Sequence, residues 1–139
     1  MQSLNREQSL WVAWGLLCVG SSVLFAAYGK HGLANSELQM RWGTAVDYFR
    51  FMGLGLVLMV AVRVLSHGMS GRMWAERMLV VGTLLFSVTI GAESISPESV
   101  LLNRIGWAAP FGGILMTLSW FTFAVSYTHL TLPTNIGVV

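Results

Sequence analysis

Charge is what this chain has least of. Of its 139 residues, eight are Lys or Arg and six are Asp or Glu, so charged side chains make up 10%. An ordinary soluble domain carries roughly 25%. With an apolar fraction of 55% and a mean hydropathy of +0.66, the chain has too little polar surface to cover a water-soluble globule. The net charge of +2 is spread over arginines near the ends of apolar runs. No basic stripe marks a nucleic-acid surface, so no nucleic-acid partner is expected. Cysteine is nearly absent too: Cys18 stands alone, which excludes an intrachain disulfide and a zinc site of several thiolates. An inert packing role is expected for it. Catalytic signatures are lacking as well. There is no G-x-S-x-G, H-E-x-x-H, phosphate-binding glycine loop or C-x-x-C. Neither an enzymatic activity nor a cofactor or metal is expected.

Long apolar runs are what the sequence has instead. Crossing the hydrocarbon takes about 20 helical residues, and runs of that order occupy about 10–28, 44–65, 74–92 and 105–125. The expected fold is all-α, an integral membrane bundle of four transmembrane helices over residues 1–124, with both termini on one side. Arg6 and the first run resemble a secretory signal, but the run is too long and Phe25-Ala26-Ala27 is a poor cleavage site, so a retained first span is expected. Asn5 or Ser9 is placed to cap it, and Trp11 and Trp14 suit the interface. Arg6, Arg63, Arg72 and Arg77 lie on the side of the termini; Lys30, Arg41, Arg50 and Arg104 lie on the other. Discounting Arg50 as intrahelical tips the balance toward cytoplasmic termini.

The first run breaks at Ala26–Leu33, AAYGKHGL, where two glycines flank Lys30 and His31. Residues 30–42 read as a polar connector, in which Asn35-Ser36 and Glu37 start a short surface helix leading into span two. Span two is less clean. Asp47 and Arg50 fall in its first turns and Arg63 near its last, with an apolar segment between the arginines that is too short for a full crossing. Either the two arginines snorkel to opposite headgroup layers, or Asp47 and Arg50 sit at depth facing neighbouring helices. Ser66–Arg72, SHGMSGR, reads as a turn, and Glu93–Arg104 as a second connector containing Pro97.

Three side chains form a candidate polar site. His31 carries an imidazole, a group suited to proton transfer or ligand binding, though one histidine is no zinc site. Asp47 and Arg50 are three apart and can pair, either as a structural pair near the headgroups or as the lining of a polar cavity. Helix packing is expected at small residues. Thr83, Ser87 and Gly91 recur every four residues, and Ala108/Gly112 and Ala109/Gly113 are small-xxx-small pairs. Pro110, followed by Phe111, Gly112 and Gly113, is expected to kink or break span four.

With these residues in view the chain resembles the DUF-423 family, YgdD-like small four-helix inner-membrane proteins of unknown function. Ala26–Leu33 is similar to the family's G-A-F-G-A-H-G-L, and Thr44-Ala45-Val46-Asp47-Tyr48 to the start of its second helix. Phe86–Ile90 is similar to its F-S-G-S-L, and Ala109–Gly113 with Ser119-Trp120 to its T-P-x-G-G and G-W. The family's Y-Q-x-x-H reads Tyr48, Phe49 and Met52 here, so its second histidine is missing. The resemblance implies a bacterial inner-membrane location and supplies no activity. Val125–Thr134, VSYTHLTLPT, resembles a translated transposon-type sequencing adapter, and residues 125–139 are set aside as a non-native tail.

Together these features point to a multi-pass protein of the bacterial inner (plasma) membrane with a structural or accessory role. Its expected partners are the lipid bilayer and a membrane protein or a second copy of itself. The alternative is a minimal oligomeric carrier or channel for a small solute, ion or proton, built from His31, Asp47 and Arg50 around Pro110.

Overall fold

Helices begin where side chains satisfy the first free amides. In the computed structural model, which describes residues 4–66 and 72–131, Asn5 Oδ1 accepts from the Gln8 amide at 2.8 Å, and Gln8 Oε1 accepts from the Asn5 amide at 2.9 Å. This reciprocal cap opens α1 (Arg6–Gly32). Asn35 Oδ1 accepts from the Leu38 amide at 2.8 Å and opens α2 (Ser36–Leu65). The remaining elements are α3 (Trp74–Ile95), the short α4 (Val100–Ile105) and α5 (Ala108–Thr131). No strand occurs among the described residues. Four helices, α1, α2, α3 and α5, are long and apolar enough to span a membrane. The protein is an all-α integral membrane protein.

The helices overrun the apolar spans. Gly29 to Gly32 still belong to α1, and only Leu33–Asn35 separate it from α2, so most of the expected 30–42 connector is helical. Lys30 and His31 sit in the last turn of α1, where positive charge complements the helix dipole and helps offset the two glycines. At 30 residues, α2 is about 45 Å long, against about 30 Å of hydrocarbon. Its first turns carry the exposed Glu37–Arg41 ion pair at 2.7 Å. Most of the expected Ser66–Arg72 turn, 67–71, lies outside the described residues.

Span four starts differently from the expectation. Residues 100–105 form a separate helix, and Pro110 is the third residue of α5 rather than a break within it. The first amides of a helix have no intrahelical acceptor, so a proline there costs no hydrogen bond. At its far end α5 runs on through Thr131. The rest of the 125–139 tail lies outside the described residues.

Packing runs α1 on α2, α2 on α3 and α3 on α5; other pairs of long helices meet at most at isolated points. The two inner helices are thus α2 and α3. Leu56, Met59, Ala75, Leu79, Met116 and Phe123 form the core between α2, α3 and α5. Two crossings bring backbones together. A Cβ on Gly15 would lie 2.6 Å from the Gly53 carbonyl oxygen, and one on Gly112 would lie 2.6 Å from that of Gly82. Only glycine fits such an approach, which is how helices in lipid gain dispersion energy without a hydrophobic driving force.

Candidate functional site

Polar groups inside the bundle gather in three places. The first lies where α2 ends and α3 begins. Glu76, in the first turn of α3, has no exposed side-chain surface. Arg63 Nε donates to its Oε1 at 2.8 Å and Arg63 Nη2 to its Oε2 at 3.1 Å. This two-pronged geometry holds a carboxylate with good directionality. At the same end Arg77 reaches the α1 carboxylate Glu7 at 2.8 Å and lies over the Trp74 ring at 5.7 Å. Ser119 on α5 donates to the Ala75 carbonyl at 2.7 Å. One end of the bundle is therefore stitched across all four spanning helices. The sequence reading has Arg63 only as a charge near the end of span two; the signal available was an opposite charge, Glu76, at the start of the next apolar run.

The second place is the α1–α2 seam. Trp42 Nε1 donates to the Phe25 carbonyl at 2.6 Å. Ser22, fully buried, donates to the Val19 carbonyl and accepts from Arg50 Nε at 3.0 Å. Arg50 Nη1 lies 3.8 Å from Asp47 Oδ1, whose side chain is 58% exposed. Arg50 thus faces a neighbouring helix, whereas the sequence alternative has Asp47 do so as well. Asp47 points outward beside it.

The third place is apolar. A groove of about 410 Å³ runs between α1 and α3 over α2. Trp14, Phe25, Trp42 and Phe49 line it, with Ser87 and Gly91 on the α3 side. Ser87 Oγ is buried and has no hydrogen-bond partner among the described residues.

The candidate residues do not converge. His31 is exposed on the last turn of α1. Pro110 and Gly113 line a different groove, of about 490 Å³, with Tyr48, Met52 and Phe86. Neighbouring residues of α2 therefore serve separate surfaces: the Tyr48 ring packs at a tilt against Phe86, centroids 4.6 Å apart, whereas Asp47 and Arg50 belong to the α1 seam. Gly112 lies against the α3 backbone, while a Cβ on Gly113 would meet nothing nearer than Phe86 at 4.0 Å. Among the described residues no group of three His, Cys, Asp or Glu is placed to hold a metal ion.

Comparison with known proteins bears on the same chain. Residues 25–113 match the family model described as "Protein of unknown function (DUF423)". A UPF0382 membrane protein of Schizosaccharomyces pombe is 35% identical over 80% of this chain and 92% of its own length. A UPF0382 membrane protein of Staphylococcus haemolyticus is 30% identical over 84% of this chain and 93% of its own. The UPF0382 membrane protein YwdK of Bacillus subtilis is 28% identical over 80% and 86%. No solved structure matches the chain.

Proposed function

The chain belongs to the DUF423 family of membrane proteins of unknown function, and from that premise we propose that it is a non-enzymatic accessory component that docks a partner within the bilayer. The observation that carries this reading is the apolar groove between α1 and α3. Ser87, Gly91 and Ala92 form its α3 wall, and no helix among the described residues fills it. Small residues on an uncovered helix face admit a second helix at close range. The partner is a transmembrane helix of another membrane protein.

The distribution of charge supports the same reading over a carrier. Arg63, Arg77, Arg50 and Arg41 each engage a carboxylate, Asp47 and Pro110 line different concavities, and His31 is exposed at the end of α1. A pathway for ions or solutes needs polar groups that converge along one route. We infer a bacterial inner-membrane location with cytoplasmic termini. The end carrying the termini holds Arg6, Arg63, Arg72 and Arg77. The other holds Lys30, Arg41 and Arg104, since Arg50 lies in the middle of α2.

The test is gentle detergent extraction through an N-terminal tag, with mass spectrometry of co-eluting proteins, on the parent and on Gly91→Leu. A Cβ at position 91 would meet the Trp42 ring at 3.5 Å, ordinary contact, so leucine there occupies the groove rather than breaking the fold. A stoichiometric membrane-protein partner that is lost in Gly91→Leu is the expected result. A homo-oligomer with no partner, or a partner indifferent to Gly91→Leu, sinks the reading.

A further inference from the structure

A second concavity lies beside the α1–α2 seam, and it takes no residue from α3, unlike the docking groove. Its volume is about 250 Å³. Ala26, Gly29 and Lys30 of α1 face Gln39, Gly43 and Asp47 of α2 across it, with Trp42 and Val46 in the floor. Gly29 takes the Trp42 ring against its backbone, Gly43 borders open space, and both charged groups line the concavity.

Depth identifies the kind of occupant. Lys30 is in the last turn of α1, at the boundary between hydrocarbon and water. Side chains lean toward the N-terminus of their own helix. Because α1 and α2 run antiparallel, Lys30 leans into the membrane and Asp47 leans out of it, so the two charges approach one level. Lys30, at the end of α1, brings that level within reach of the headgroup zone. Any molecule there competes with lipid already present at high concentration.

Charge identifies the headgroup. Lys30 is in none of the ion pairs among the described residues, and Asp47 has only Arg50, at 3.8 Å. Gln39 donates its amide to the Leu33 carbonyl at 2.9 Å, which fixes that side chain at the rim. The lining thus presents one cation and one anion, each with free hydrogen-bonding capacity. An anionic headgroup would leave Asp47 facing like charge. A headgroup with one phosphate and one primary ammonium satisfies both, and its N–H donors match carboxylate oxygens that a trimethylated ammonium cannot hydrogen-bond.

We propose that the concavity between Lys30 and Asp47 binds the headgroup of a phosphoethanolamine lipid, the phosphate on Lys30 and the ammonium on Asp47. Arg50, anchored by Ser22, holds the Asp47 carboxylate in place from one turn deeper. The site is independent of the partner-docking reading.

The test uses the full chain in detergent, with phospholipids of matched acyl chains bearing ethanolamine, choline or glycerol headgroups. Thermal unfolding is followed by tryptophan fluorescence, and retained lipid is measured by native mass spectrometry. The ethanolamine lipid is expected to raise the unfolding midpoint most and to remain as a one-to-one adduct. Lys30→Gln and Asp47→Asn are each expected to weaken its apparent affinity by about tenfold, the loss of one charge-assisted hydrogen bond. Equal stabilisation by the choline lipid overturns the Asp47 pairing, and preference for the glycerol lipid overturns the zwitterionic site. If Asp47→Asn misfolds, Lys30→Gln decides alone: Lys30 is exposed, and undiminished ethanolamine-lipid binding by that variant overturns the proposal.

Discussion

At the scale of single residues, the Arg63–Glu76 pair is the most constrained feature of the molecule. Glu76 has no exposed side-chain surface and Arg63 only 9%, so neither charge has water to fall back on. Removing one partner of a buried pair leaves the other uncompensated, at a cost of about 3–5 kcal/mol. Glu76→Ala is therefore expected to lower stability by about that amount, read as a fall in the thermal midpoint of the detergent-solubilised protein. Glu76→Gln keeps an acceptor for Arg63 and should fall between parent and Ala. A parent-like Glu76→Ala would mean the pair adds nothing. The sequence has Arg63 near the end of span two but does not pair it with Glu76, because the two stand 13 residues apart on different helices, beyond any contact spacing within one helix. By contrast Asp47 and Arg50 were legible as neighbours, since three residues along a helix is contact distance whatever the tertiary structure does.

At the scale of elements, helix ends and helix crossings follow different rules. Ends are local. Asn5 and Asn35 accept from amides three residues on, and Asn35→Ala is expected to cost about 0.5–2 kcal/mol, measured by thermal unfolding. Pro110 also belongs to this class. Because it sits in the first turn of α5, Pro110→Ala should leave the midpoint nearly unchanged, whereas a mid-helix proline would have made the replacement stabilising by about 3 kcal/mol. Crossings are not local. A Cβ at Gly112 would press on the Gly82 carbonyl and on the Phe86 amide at 2.6 Å, so Gly112→Ala should cost about 1–3 kcal/mol through overpacking. Gly113→Ala meets open space and should be neutral or stabilising, by up to about 1 kcal/mol. Equal losses for both variants would contradict this assignment of the α3–α5 contact. The paired small-residue motif names both glycines alike; only the rotation of α5 separates them.

At the scale of the whole molecule, the fold is four spanning helices in which two inner ones carry an outer one each, leaving an apolar groove between α1 and α3. Its sidedness is testable with single cysteines in a Cys18→Ala background. Leu4→Cys, at the end with the termini, is expected to react with a membrane-impermeant maleimide only after permeabilisation, and Ser96→Cys, beyond the end of α3, without it. The reverse pattern would invert the orientation. Hydropathy alone determined the four spans, because a chain with so few charges must be solvated by lipid and a helix is the structure that satisfies its own backbone there. The sequence also determined one helix start through Asn35, since capping is a contact between residues three apart. Only the tertiary structure decided which faces meet. In water a helix turns its apolar stripe inward, and that stripe can be read from the sequence. In lipid the outward faces are as apolar as the core: Leu16, Leu17, Leu24 and Phe121 are exposed while Leu56 and Leu79 are buried. No polarity pattern then fixes the rotation of each helix. The contacts that do fix it, Gly15 on Gly53, Gly82 on Gly112, Arg50 on Ser22 and Arg63 on Glu76, join different helices, and no spacing within one helix encodes them.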